Sequence, residues 1–241
     1  MKPATLPRVF QPFDCKDLVR LGKDNDGGYL VNRTDIVNAK KLISFGINDD
    51  WSFEEDFLAI NPCALDAYDN SISGEKFRTN PTWAGVYESY SEFFTGDRVH
   101  IEKNIGNNDQ VDYVSFNEVM DTASNGVFLK CDIDGSEYEF LDELITKSNQ
   151  FIGLAIEFHN INQHDNFNSL TNFISKVDLR LVHLHCNNWA YFKTPNGGFQ
   201  PDCLELTFTS SSNIEYKPRL RMPRSLDMPN NPNDDDFEIY F

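Results

Sequence analysis

Residues 127–145, VFLKCDIDGSEYEFLDELI, contain a strand, a turn and a helix in one short stretch. The opening residues VFLKC are apolar except for Lys130 and suit a buried strand. After Ser136 the spacing changes: Tyr138, Leu141, Leu144 and Ile145 fall on one helical stripe while the acids between them face water. Lys130, Asp132 and Asp134 alternate along the strand and its end, so they point to one side. Carboxylates are rare in buried strands because desolvating them is costly unless they are paired. Charge at the carboxyl end of a strand therefore marks a place to look for chemistry: a ligand cation, an acceptor group or a divalent metal. The plainer alternative is a Lys130–Asp132 pair with Asp134 capping the next helix.

Six further apolar runs lie on either side: KLISF (41–45), CALDAY (63–68), VHIEKNI (99–105), FIGLAIEF (151–158), LRLVHLH (179–185) and LELTFT (204–209). Helix-spaced segments such as SFEEDFLAI (52–60) separate several of them. Strands alternating with helices predict an α/β fold, a mainly parallel sheet with helices on both faces. The last two runs are joined by CNNWAYFKTPNGGFQPD, which reads as a loop and not a crossover helix. An antiparallel strand at that edge of the sheet follows. The whole chain, 1–241, reads as one domain, with an N-terminal extension over about 1–19 and an irregular Pro-, Asn- and Asp-rich tail over about 217–241.

The formal net charge is −17, the opposite of what phosphate binding requires, so nucleic acid is not an expected partner. Arg219, Arg221 and Arg224 form the one local basic cluster. No run of about 18 apolar residues is present, so membrane insertion is not expected. The N-terminus lacks the apolar core of a secretory signal. Five scattered cysteines without a C-x-x-C pair suggest reduced thiols and a cytoplasmic location.

In open α/β sheets ligands bind beyond the carboxyl ends of the strands, so the residues just after each run are the candidates. Gly46 ends the first, and Asp49 and Asp50 follow it. Acids there repel a pyrophosphate and suit a ligand carrying positive charge. Asp69 ends the second run, where an acid in nucleotide-binding folds accepts bonds from ribose hydroxyls. Asp66 is the substitute if that strand ends earlier. Glu157, His159 and His185 end later runs, and both histidines suit proton transfer near neutrality. Asn187, Asn188 and Trp189 combine amides with an aromatic face, as a carbohydrate-contacting loop does. Asp132, Asp134, Glu157 and His159 together offer the oxygens and imidazole of a site for Mg²⁺ or another divalent cation.

LKCDIDGSE resembles the signature LK-x-D-x-(E/D)-G-x-E of the FkbM-type methyltransferases. SFGINDDWSFEEDF, RLGKDNDGGYLV, IEFHNI, VHLHCNN and LDMPNNPNDDDFEI are similar to further motifs of one branch of that family, in the same order, from about Arg20 to the tail. The resemblance implies a seven-stranded Rossmann-like methyltransferase fold and S-adenosylmethionine as donor. It implies O-methylation of a small-molecule or glycan acceptor, sugars above all. Carried over by position, Gly46 and Asp69 line the donor, Asp132 and Asp134 lie near the transferred methyl, and Asp26, Gly27, Gly28 and Tyr29 close one side. Many family members carry Glu where this chain has Asp134, so the reach of that carboxylate differs. An NAD-type oxidoreductase would show G-x-G-x-x-G after the first strand, which this chain lacks. A non-catalytic interaction module on the same fold is the other alternative, and charges retained at the strand ends speak against it.

Overall fold

The computed structural model describes residues 1–83, 85–107, 110–218 and 220–241. The seven apolar runs form the seven strands of the main sheet. In chain order these are β1 (Lys41–Phe45), β2 (Ala64–Tyr68), β3 (Arg98–Ile101), β4 (Val127–Cys131), β5 (Phe151–Phe158), β6 (Arg180–Cys186) and β7 (Leu204–Thr209). Their spatial order is β3-β2-β1-β4-β5-β7-β6. The first five strands pair in parallel. β7 runs against both β5 and β6, so the edge strand β6 makes an antiparallel pairing, as expected. This is a Rossmann-like arrangement.

Side-chain alternation divides the core between the two faces of the sheet. From β4, Val127, Leu129 and Cys131 join one cluster, with Phe116, Met120, Leu144 and Phe173 of the covering helices. Phe128 joins the other, with Ile36, Phe53, Phe57 and Phe77. Strands buried on both faces lose the polar–apolar alternation of half-exposed ones, which is why the central runs KLISF and VFLKC read as almost continuously apolar. Among the described residues no helix is long and apolar enough to cross a membrane.

Both chain ends carry a short strand, the N-terminal extension over Lys2–Thr5 and the otherwise irregular tail over Phe237–Tyr240. Lys2–Thr5 pairs in parallel with Phe237–Tyr240 and with Phe199–Pro201, which in turn pairs with Tyr191–Lys193. The cause lies in FEIY, where Phe237 and Ile239 are buried and alternate with exposed Glu238 and Tyr240. Ion pairs hold the tail at other points: Asp227 lies 2.9 Å from His183, Arg224 lies 2.7 Å from Asp14, and Asp234 lies 2.8 Å from Lys2. Arg224 is therefore committed within the fold, and Arg219 lies outside the described residues.

The chain builds strands 1, 2 and 3 outward on one side and then crosses to β4 on the other. The crevice this reversal opens lies above the ends of β1 and β4.

Candidate active site

A cleft of about 630 Å³ occupies that crevice, within the range of small-molecule and cofactor sites. Gly46, Ile47, Asn48, Asp49 and Asp50 line one wall. Gly46 has φ +74°, and a Cβ on it would lie 1.7 Å from the carbonyl oxygen of Asp132. Only glycine lets the β1 turn pass so close to the end of β4. Lys130 strengthens this junction by donating to the Gly46 carbonyl.

Asp69 follows β2 directly and braces the same turn. Its Oδ2 accepts from the amides of Ile47 (3.0 Å) and Asn48 (2.8 Å), and its Oδ1 from the amide (2.7 Å) and hydroxyl (2.5 Å) of Ser71. Burial works to raise its pKa, but these bonds outweigh it and hold the carboxyl below its ordinary value. Asp66 pairs instead with Lys41.

The floor of the cleft is a polar network. The Tyr29 hydroxyl lies 3.0 Å from both Asp132 Oδ2 and Glu157 Oε2. Glu157 Oε1 accepts from Asn187 Nδ2 and from the Cys203 thiol, each at 2.8 Å. Burial, with the charges of Asp132 and Glu205, pushes Glu157 up to about 8. Burial, with Asp132 and Glu157, also holds Tyr29 well above its ordinary value, so it remains a donor. Asp26 accepts from Asn230 Nδ2 at 3.0 Å and lies 3.5 Å from Asn187 Nδ2, which joins the tail to the network. Lys130, 3.8 Å from Asp132, is buried. Desolvation lowers its pKa, but the charges of Asp132 and Glu54 reverse that and raise it.

His159, just after β5, faces this floor. Its Nε2 lies 3.9 Å from Asp132 Oδ1, 3.8 Å from Asp134 Oδ1 and 3.8 Å from Glu157 Oε1. Burial works to lower its pKa, but the bond to Glu137 and the charges of Glu157 and Asp132 raise it to about 9. Asp134 has a side chain 99% exposed and a left-handed backbone, φ +53°.

Of the residues singled out from sequence, Asp26, Tyr29, Gly46, Asp69, Asp132, Asp134, Glu157, His159 and Asn187 meet in this cleft. Besides Asp66, four do not line it. Gly28 serves packing: a Cβ there would come 2.1 Å from the Arg20 guanidinium, which bonds the carbonyls of Gly28 (3.1 Å), Lys23 (3.1 Å) and Asn25 (2.7 Å). His185 is corrected as a proton-transfer candidate. It is buried between Glu205 and Asp236, with one ring nitrogen 3.2 Å from each. Asn188 is buried and ties the tail through Asn231 and Asp234. Trp189 is 58% exposed and lies outside the cleft lining.

Sequence reasoning missed Lys103, Asn104 and Tyr113 in the lining: the first two fell inside the run read as strand over 99–105, whereas β3 ends at Ile101. It also left Glu54 unassigned, a buried acid at the first turn of the helix Ser52–Ile60.

Asp132, Asp134 and His159 each offer one ligand atom, and these atoms lie within 4.8 Å of one another. Two carboxylates and an imidazole fit a divalent cation chemically, with Glu157 beside them. The acid-rich lining fits a ligand bearing positive charge better than a pyrophosphate.

No family model matches the chain, and no curated protein does. Solved structures similar to it include precorrin-6y C5,15-methyltransferase from Geobacter metallireducens, at 13% identity and TM-score 0.41, covering 73% of this chain and 84% of that one. An rRNA methylase from Streptococcus thermophilus has 9% identity and TM-score 0.40, covering 74% and 94%. The human methyltransferase 10 domain containing protein has 9% identity and TM-score 0.40, covering 72% and 73%. At these scores the likenesses carry no argument, and the functional reading rests on the cleft.

Proposed function

We propose that this protein is an S-adenosylmethionine-dependent methyltransferase of the FkbM type, acting on a hydroxyl of a small polar acceptor, with sugars or glycans as the first class to test. The observation that carries it is the cleft itself. A glycine turn braced by Asp69 stands at the switch point of the sheet, and the floor beyond it is carboxylate. That combination lacks a phosphate cradle and offers partners for an ammonium and a sulfonium.

The donor, when bound, supplies a methyl group on a sulfonium that leaves as a thioether. The protein's own part is alignment, which can supply about 7–11 kcal/mol, and handling of the acceptor proton. Asp69 takes the ribose; of its four present donors, the Ser71 hydroxyl is the one free to rotate away. Asp132 and Tyr29 sit between the donor and acceptor halves. His159 and Asp134 are the candidates to receive the acceptor proton, and a positive charge in the cleft works against the imidazolium and frees Nε2. Asn187 and Glu157 orient the acceptor hydroxyls. Trp189 offers an exposed face to a larger glycan. A divalent cation held by Asp132, Asp134 and His159 would serve acceptor orientation in the same half. The negative net charge supports a small acceptor over nucleic acid, and five free cysteines support a reducing, cytoplasmic setting.

The test is calorimetric titration of S-adenosylmethionine and S-adenosylhomocysteine, with NAD as control, with and without Mg²⁺. Micromolar binding that Asp69→Ala weakens at least tenfold supports the donor, and Mg²⁺-dependent heat supports the metal. Failure of both adenosyl ligands to bind refutes the reading and favours the interaction module.

A further inference from the structure

Glu137 is the most deeply buried acid near the cleft, with a side chain 0% exposed. It sits in the first turn of the 3-10 helix Ser136–Phe140 and forms no ion pair with Lys or Arg among the described residues. Burying a carboxylate without a cation is costly unless hydrogen bonds offset the lost hydration. Its Oε1 accepts from the Gly135 amide at 3.1 Å and lies 2.7 Å from His159 Nδ1, while Oε2 has no partner. The strongest interaction available to this acid is therefore the imidazole.

The surrounding turns fix that contact. The Tyr138 hydroxyl donates to the His159 carbonyl at 2.7 Å, anchoring the backbone that carries the ring. Gly135 (φ +110°) and Asn160 (φ +53°) are both left-handed, and a Cβ on Gly135 would come 3.1 Å from the Asn160 side-chain Nδ2. The segment after β4 and the turn after β5 are thus joined by two contacts, Tyr138 to the His159 carbonyl and Glu137 to the His159 ring.

We infer that Glu137 is the positioning residue for His159: it keeps a proton on Nδ1 and so leaves Nε2 as the nitrogen offered to whatever occupies the cleft. Nε2 stands 3.8–3.9 Å from three carboxylate oxygens, beyond hydrogen-bond length from each, which leaves room for a ligand atom among them. Holding one ring nitrogen with a carboxylate to direct the other is the arrangement that orients histidines in catalytic and metal sites alike. What Nε2 meets rests on the methyltransferase reading; the hold of Glu137 on Nδ1 does not.

The test is ¹⁵N-edited NMR of the imidazoles in the full chain, which has five histidines. His159→Gln assigns the His159 signals. The wild-type protein is expected to show an exchange-protected proton on His159 Nδ1. Glu137→Ala is expected to abolish that protected signal, and Glu137→Gln, which keeps an acceptor oxygen of the same reach, to retain part of it. A His159 proton found only on Nε2, or no protected Nδ1 proton in the wild type, overturns the inference. So does a protected signal unchanged in Glu137→Ala, whereas unfolding of that variant leaves the decision to the wild-type spectrum and Glu137→Gln. Calorimetry with S-adenosylhomocysteine on the wild-type protein is read separately. Absence of binding there removes the donor reading and leaves the Nδ1 result standing.

Discussion

Asp35 offers the sharpest energetic test of the structure. It lies in the helix Arg33–Asn38, is buried, and makes no ion pair among the described residues. Its Oδ2 has no hydrogen-bond partner. Burial raises its pKa to about 7, although hydrogen bonding with Thr209 and Asn32 offsets part of the effect. In the unfolded chain an aspartate titrates near 3.9. Between those values the folded protein holds a proton that the unfolded chain has lost, so stability is highest below about pH 4 for this group and declines as pH rises to about 7. At ~1.4 kcal/mol per pH unit the loss is bounded at about 4 kcal/mol, complete above pH 7. Asp35→Asn substitutes a neutral side chain of the same shape. Urea unfolding at pH 5, 6, 7 and 8 should show the variant gaining on the wild type by about 1 kcal/mol or more per unit between pH 5 and 7. Parallel stability curves for the two proteins, or a variant less stable at pH 8, would refute the reasoning.

Gly46→Ala forces a Cβ to within 1.7 Å of the Asp132 backbone; we expect a loss of about 2–4 kcal/mol in chemical denaturation and at least tenfold weaker S-adenosylhomocysteine binding. Tyr29→Phe removes the hydroxyl that both Asp132 and Glu157 contact at 3.0 Å; a loss of about 1–3 kcal/mol follows, and unchanged stability in urea unfolding would show that the hydroxyl contributes no net stabilisation. Asn230→Ala leaves Asp26 and Glu205 without the amide that bonds them at 3.0 and 2.6 Å. Its thermal midpoint should fall by about 2–8 °C, for a cost of about 1–2 kcal/mol.

Strand positions were legible because the central runs KLISF, VFLKC and FIGLAIEF are largely apolar on both faces, and the observed bounds differ from the runs by a few residues at most. The residues after β1, β2, β4 and β5 also converge as the strand-end rule requires. His185 shows the limit of that rule. It lies on a strand buried on both sides, where the alternation in VHLHC puts the two histidines on one face but does not tell whether that face meets the cleft or the tail. His183 and His185 share a parity, and both turn toward carboxylates, those of Asp227, Glu205 and Asp236. The tail supplies two of the three, from a stretch whose Pro- and Asn-rich composition hides its contacts. Glu137 was visible as a residue but not as a partner of His159, because their contact joins two turns brought together only by the parallel pairing of β4 and β5.

The parallel pairing of Lys2–Thr5 with Phe237–Tyr240 bears on how the chain is made. Lys2–Thr5 is made well before its partner residues 237–240, so this edge of the small sheet waits for them during synthesis. Contacts so distant in sequence close slowly, and an edge exposed meanwhile is open to wrong partners. Lys2, followed by Pro3 within the strand, places a charge and a missing amide donor on that edge. Both discourage pairing with a stranger, and the early segment is thereby kept available for the last one.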